Sequence, residues 1–264
     1  MMYLLDHPAA LFIATCVVLL LIHEIGFRLR ALAKDRDEKE WEKQVHETRN
    51  QIALLLSLLL GFAMTMAVSR FDERKKLVID EANAIGTAYL RATMQAEPIR
   101  STTPALLREY VDSRIAMFGN DNDEHAQQGA AERSKQIQDE LWSSVTAAAQ
   151  QTQTPIVAIY VQALNDVIDL DSERVAAVLN RIPIDIWVLL ALLSSLTSLV
   201  VGYGQRHRSM LATFVPVLMV AIAVSLIADL DTPASGFIQV SQQSLQSLSA
   251  ELHMQLAGVK KPAH

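Results

Sequence analysis

Four residues at four-residue spacing, Ser57, Gly61, Thr65 and Ser69, draw a stripe of small and hydroxyl surface along one helical face. They lie in an otherwise apolar run, residues 52–69. With the drift of a 3.6-residue period the stripe continues through Asp72, Lys76, Asp80, Asn83 and Thr87. Two kinds of chemistry use such a face. Copies of it around an axis would line a narrow polar path for ions. The same small residues also let helices approach closely in lipid. Beyond the run, Arg70, Arg74 and Lys76 would concentrate anions only in a ring of chains. In a single chain the alternating charges of residues 72–81 read as a solvated, salt-bridged rod.

Asp229 and Asp231 flank the C-terminal end of an apolar run, where the helix dipole disfavours acids. That placement implies a partner, and Arg181 and Arg91 are the candidates for a structural ion pair. Asp166, Asp169, Asp171 and Glu173 offer oxygens to a hard cation but lack the glycine-containing loop of a calcium hand. We read them as capping or solvated charge and expect no metal site. His23 and Glu24 close another apolar run and can snorkel to an interface. No His-Glu-x-x-His, Gly-x-Ser-x-Gly, Walker or dinucleotide glycine pattern occurs. The seven histidines are scattered, and Cys16 is the only cysteine, so no internal disulfide or cysteine-based redox motif can form. The expectation is a protein that is not an enzyme and needs no cofactor. A net charge of -6 provides no basic patch for nucleic acid.

The elements that carry these residues follow from hydropathy. The 264 residues are 51% hydrophobic and 20% charged, which suits a mixed membrane and extramembrane chain. Four runs approach the ~20 apolar residues that cross a bilayer: 8–27, 52–69, 184–202 and 210–228. The first lacks a positive n-region and a clear cleavage site, so we expect a retained span. Residues 52–94 contain no proline and no turn cluster, which predicts one unbroken helix that leaves the bilayer, with Gly61 and Gly86 as places for a mild bend. The expected organisation is a first helix pair with a charged link (1–69), a helical extramembrane domain built on the long second helix (70–182), a second helix pair (183–230) and a tail with a short helix (231–264). The fold class is all-α.

Within 70–182, Thr103-Pro104 predicts a helix start, with Leu107, Tyr110, Val111, Ile115 and Phe118 on its apolar face. Residues 119–123, Gly-Asn-Asp-Asn-Asp, predict its end. A second helix carries Ile137, Leu141, Val145 and Ala148. A third begins at Thr154-Pro155, and Asp171 is expected to cap a short fourth ending near Asn180. In the tail, Ser241 is expected to cap a last helix bearing Leu245, Leu248 and Leu252.

Several runs resemble a known family. Residues 80–91 (DEANAIGTAYLR), 106–114 (LLREYVDSR), 180–183 (NRIP) and 229–245 (DLDTPASGFIQVSQQSL) are similar to bacterial bestrophin-like multi-pass membrane proteins. The resemblance spans most of the chain, about residues 54–248. It implies the bacterial inner membrane, a homo-oligomer, and a link to pentameric chloride channels whose pore follows the second span and its extension. The chain shows no run of carboxylates like the calcium clasp of eukaryotic bestrophins.

Two functions compete at this stage. One is an oligomeric channel for inorganic anions with its path along Ser57, Gly61, Thr65 and Ser69. The other is a non-conducting scaffold or sensor whose helical domain binds a partner. Basic residues set the orientation. Seven Lys and Arg lie in residues 28–51, Arg206 and Arg208 lie between the last two spans, and none precedes residue 8. By the positive-inside rule the N-terminus and the 70–182 domain face away from the cytoplasm.

Overall fold

The structure is a computed structural model, and it describes residues 5, 7–32, 38–119, 124–151, 154–233 and 236–259. The described residues are mostly helical and contain no strand. In chain order the helices are α1 (Pro8–Leu32), α2 (Glu38–Thr93), α3 (Ile99–Met117), α4 (Glu124–Gln151), α5 (Pro155–Leu179), α6 (Ile184–Gly204), α7 (Met210–Asp231) and α8 (Gln243–Val259). Four helical stretches are long and apolar enough to cross a membrane: Pro8–Leu32, Trp41–Thr93, Pro155–Gly204 and Met210–Asp231. The third contains the break at residues 180–183, and its apolar part is α6.

The expected second helix forms without interruption and starts earlier than expected, at Glu38 rather than near Ile52. Its 56 residues span about 84 Å at ~1.5 Å per residue, far more than a hydrocarbon core of ~30 Å. The early start has a simple cause. The link preceding residue 52 holds good helix formers and no proline, and Trp41 anchors it. The Arg30 guanidinium lies 3.4 Å from the Trp41 ring centre, and Tyr203 packs against the same ring.

The chain divides into two compact units, residues 1–71 with 180–239 and residues 72–179 with 240–264. In the first unit Leu56, Ala63 and Ala67 of α2 pack with Trp187 and Leu190 of α6 and Ile227 and Ala228 of α7. α1 joins through backbone contact with α6. Gly26 and Gly202 face the opposite helix's main chain, where a Cβ would collide with the carbonyl oxygens of Leu199 and His23. The Ser198 hydroxyl donates to the Leu19 carbonyl oxygen at 2.7 Å across this crossing. Outside this core, large apolar side chains such as Ile13, Leu21, Leu192, Phe214 and Met219 are exposed, as helices solvated by lipid require.

In the second unit the buried face of α2 (Val78, Ala82, Ile85, Ala88, Tyr89, Ala92) meets Leu107, Tyr110 and Val111 of α3, Ile137, Leu141 and Val145 of α4, and Tyr160, Leu164 and Val167 of α5. α8 adds Leu245 and Leu252 to the same core. Two expected starts are present as capping contacts: the Thr154 hydroxyl accepts the Val157 N–H at 3.4 Å, and the Ser241 hydroxyl accepts that of Gln243 at 3.2 Å.

Two expected boundaries are corrected. α3 starts at Ile99, not at Thr103-Pro104. The Thr102 N–H and the Ser101 and Thr102 hydroxyls all donate to the Pro98 carbonyl oxygen, closing a first turn there. Pro104 then loses one helical hydrogen bond, and Thr103 is buried with its hydroxyl 3.0 Å from that of Tyr160. Asp171 begins no separate helix. It lies inside a continuous α5, whose sequence there holds neither Gly nor Pro. The Asn120–Asp123 part of the expected α3 stop lies outside the described residues, as do Lys34, Asp35, Arg36 and Asp37 of the link.

Candidate functional site: the exposed face of the long helix

Within the first unit, α2 buries Leu56, Ala63 and Ala67 and exposes the opposite face. Ser57, Gly61, Thr65 and Ser69 are all exposed, and a Cβ on Gly61 would meet nothing within 4 Å. The hydroxyls are partly committed. Ser57 donates to the Ala53 carbonyl oxygen at 2.8 Å and Thr65 to that of Gly61 at 2.9 Å. With its hydrogen turned inward, each presents lone pairs outward. At 3.6 residues per turn Leu54, Leu58 and Phe62 fall among these residues, and all three are exposed. The exposed face is therefore mixed, with bulky apolar and small polar groups interleaved.

In the second unit the exposed residues of α2 include Asp72, Lys76, Ile79, Asn83 and Thr87. The expected solvated rod holds for the exposed Asp72, Glu73, Lys75 and Lys76, the last pairing with Asp80 at 3.9 Å, but not for Arg74 and Glu81. Arg74 is 5% exposed and Glu81 is fully buried, so Arg74 contributes nothing to an outward ring. Arg70, in the first unit, is largely enclosed, with its guanidinium 3.6 Å from Asp231.

Glu81 is the centre of a buried charge knot that the sequence reading missed. Its carboxylate accepts from Arg114 Nε at 2.5 Å and from Arg174 Nη1. Arg114 also pairs with Asp171, which accepts the Gln138 amide at 2.8 Å. Arg174 continues to Gln242, and both guanidinium groups lie over the Phe118 ring. Burial pulls the Arg114 guanidinium down, but the charges of Glu81 and Asp171 outweigh it and hold the group above its ordinary value. Burial also pushes the Tyr110 phenol well up. One signal could have exposed the knot. Glu81 sits between Val78, Ala82 and Ile85 on the buried period, a place a solvated acid does not occupy.

The acids at the end of α7 find partners of two kinds. Asp231 accepts the Ile182 N–H at 3.0 Å and faces Arg70. Asp229 accepts the N–H groups of Phe237 and Ile238, at 2.6 and 3.1 Å. The chain therefore turns back over the helix end and offers backbone donors where a cation was expected. Gly236 is pressed so close to the Asp229 carboxylate that a side chain would not fit. Arg181 is the chain neighbour of Ile182. Arg91 belongs to the second unit and donates to the Ile159 carbonyl oxygen at 2.8 Å.

His23 does not snorkel. It is buried, with Nε2 3.0 Å from the Thr213 hydroxyl, while Glu24 reaches Arg28 at 2.9 Å and Arg208 at 3.0 Å. Glu42 reaches Arg206 at 2.5 Å, so contacts inside the first unit gather the basic residues of both short connections. Asp166 and Asp169 accept the amides of Gln162 and Asn165 on their own helix, each at 2.7 Å. No group of three metal-ligating side chains gathers among the described residues.

Apolar spanning helices and a long second helix with one free face define a multi-pass helical membrane protein. Comparison with known proteins makes this specific. The bestrophin-like domain model matches residues 11–245, and the chain belongs to that family. Its fold is that of bacterial bestrophin homologues. A point mutant of the homologue from Klebsiella pneumoniae superposes with a TM-score of 0.66 at 14% identity, over 94% of this chain and 99% of that one. A second point mutant of that homologue gives 0.66 at 13% identity, over 96% and 98%. A structure described as a membrane protein with a glycine-to-alanine substitution gives 0.63 at 14%, over 93% and 98%. A search of functionally curated proteins finds no match.

Proposed function

We propose that the chain assembles as a homo-oligomeric, non-enzymatic ion channel of the inner membrane, with inorganic anions as its cargo and the exposed face of α2 as its path. The observation that carries this reading is the mixed face itself. Ser57, Gly61, Thr65 and Ser69 supply small or hydroxyl surface, and Leu58 and Phe62 beside them supply apolar bulk. Surrounding an axis, hydroxyl positions favour water and bulky apolar positions exclude it, which is how an apolar constriction gates. Bestrophin-like membership and the fold support the reading.

Halide flux from liposomes holding the purified protein tests it. Thr65→Leu or Gly61→Leu is expected to cut flux about tenfold, a barrier of ~1.4 kcal/mol, with the oligomer intact. Phe62→Ser is expected to raise it. An inert wild type, or variants that conduct like it, would overturn the assignment. Loss of the oligomer in the leucine variants would instead mark the face as a packing surface.

Orientation belongs to the same proposal. The basic residues of 28–51 and 206–208 belong on the cytoplasmic side and the 72–179 unit on the other. In a chain carrying Cys16→Ala, a cysteine at Gln128 should react with an impermeant maleimide on intact cells and one at Gln44 should not. The reverse pattern would invert the assignment.

A further inference from the structure

A crevice within the first unit is separate from the exposed face of α2 and calls for a ligand of its own. It holds about 210 Å³ and is bordered by Leu11 and Leu19 of α1 and by Trp187, Leu190, Ala191 and Ser194 of α6. An apolar cavity of ~150 Å³ already accepts benzene. Ser194 is 4% exposed, and its hydroxyl has no hydrogen-bond partner. Its neighbours differ. Thr197 donates to the Leu193 carbonyl oxygen one turn back, and Ser198 donates across to α1. Ser194 lines the crevice instead, offering one donor and two lone pairs where the bilayer interior supplies no water. No lining residue is charged, so a carboxylate or phosphate would find no counter-charge. Ala191 and Val18 on its border are exposed, which leaves lateral access from lipid.

We infer that this crevice binds an uncharged, lipid-soluble molecule through one oxygen, an alcohol, phenol or carbonyl, lodged on the Ser194 hydroxyl with its apolar body against Leu11, Leu190 and Trp187. The inference does not depend on channel activity. Trp187 lines the site and reports on it directly. The full chain carrying Trp41→Phe and Trp142→Phe, in liposomes, is titrated with ω-bromoundecanol, whose bromine quenches indole on contact. Saturable quenching is expected for the alcohol. Bromoundecane, matched for its concentration in the bilayer, should saturate about fivefold more weakly, and ω-bromoundecanoate, with no counter-charge in the crevice, should quench without saturation. Ser194→Ala should weaken the apparent affinity about fivefold, the loss of one hydrogen bond. Ala191→Phe should abolish the saturable part. Equal, unsaturable quenching by all three probes would overturn the site, as would an unchanged affinity in Ser194→Ala. That variant removes a single oxygen, so it decides the matter should Ala191→Phe fail to insert.

Discussion

Replacing Glu81 by alanine is expected to destabilise the 72–179/240–264 unit by about 3–5 kcal/mol, the usual consequence of removing one partner from a buried ion pair. The carboxylate is fully buried and holds two guanidinium groups, Arg114 and Arg174, which are themselves almost fully enclosed. Without it, two positive charges remain in the interior with Asp171 as the remaining carboxylate of the knot. Aromatic faces soften this only partly, through the Phe118 ring beneath both. Thermal unfolding of the detergent-solubilised chain, followed by helicity, measures the effect. Asp80→Ala is the control, since its pair with Lys76 is surface-exposed and worth under about 1 kcal/mol. Replacing Glu81, Arg114 and Arg174 together with methionine or leucine should recover much of the loss, because an apolar core of similar volume avoids the desolvation of three charges. Equal unfolding temperatures for Glu81→Ala and Asp80→Ala would show that the knot contributes nothing.

That knot also marks where sequence reasoning stops. The helices were legible because their signals are local. Apolar runs of spanning length gave α1, α6 and α7. The lack of breakers from residue 52 gave the long α2. Thr154 and Ser241 announced the starts of α5 and α8, and both hydroxyls do accept from the backbone there. The partners of charges were not local. Glu81 meets residues 33 and 93 positions away, and nothing in its neighbours' spacing names them. Asp229 could not be matched correctly at all from side-chain types, because its donors are the main-chain N–H groups of Phe237 and Ile238. Thr103-Pro104 misled for a related reason. The pair fits a helix start, yet Pro98 serves the same purpose earlier, and burial against Tyr160 decides the use of Thr103.

The candidate path was read only in part. Its small and polar positions are visible as a four-residue spacing, and all four are exposed. The interleaving of Leu54, Leu58 and Phe62 with them follows from the same 100° per residue, but a stripe drawn through the polar residues alone hides it. The distinction alters the chemistry. A face of hydroxyls would be wet along its length, whereas one broken by leucine and phenylalanine contains a place that excludes water.

Glycines separate packing from exposure most sharply, and Gly202→Ala against Gly61→Ala is the second large expected effect. At Gly202 a methyl group would be driven into the His23 main chain, with the carbonyl carbon at 3.0 Å and Cα at 3.2 Å. Gly26 makes the reciprocal approach to Leu199 and Tyr203, so α1 and α6 touch backbone to backbone. Small residues at helix crossings in lipid exist to permit this contact. No flexible side-chain end can move aside, so the helices must separate. Gly202→Ala should therefore cost about 1–3 kcal/mol, the range for overpacking, and Gly202→Leu should prevent the pair from closing. Gly61 meets nothing, and alanine there gains up to about 1 kcal/mol of helix propensity. Unfolding of the two variants in graded denaturing detergent compares them directly. A Gly202→Ala protein as stable as Gly61→Ala would show that the α1–α6 crossing is loose. If Gly61→Ala is itself strongly destabilised, its face is closely covered by another copy of the chain.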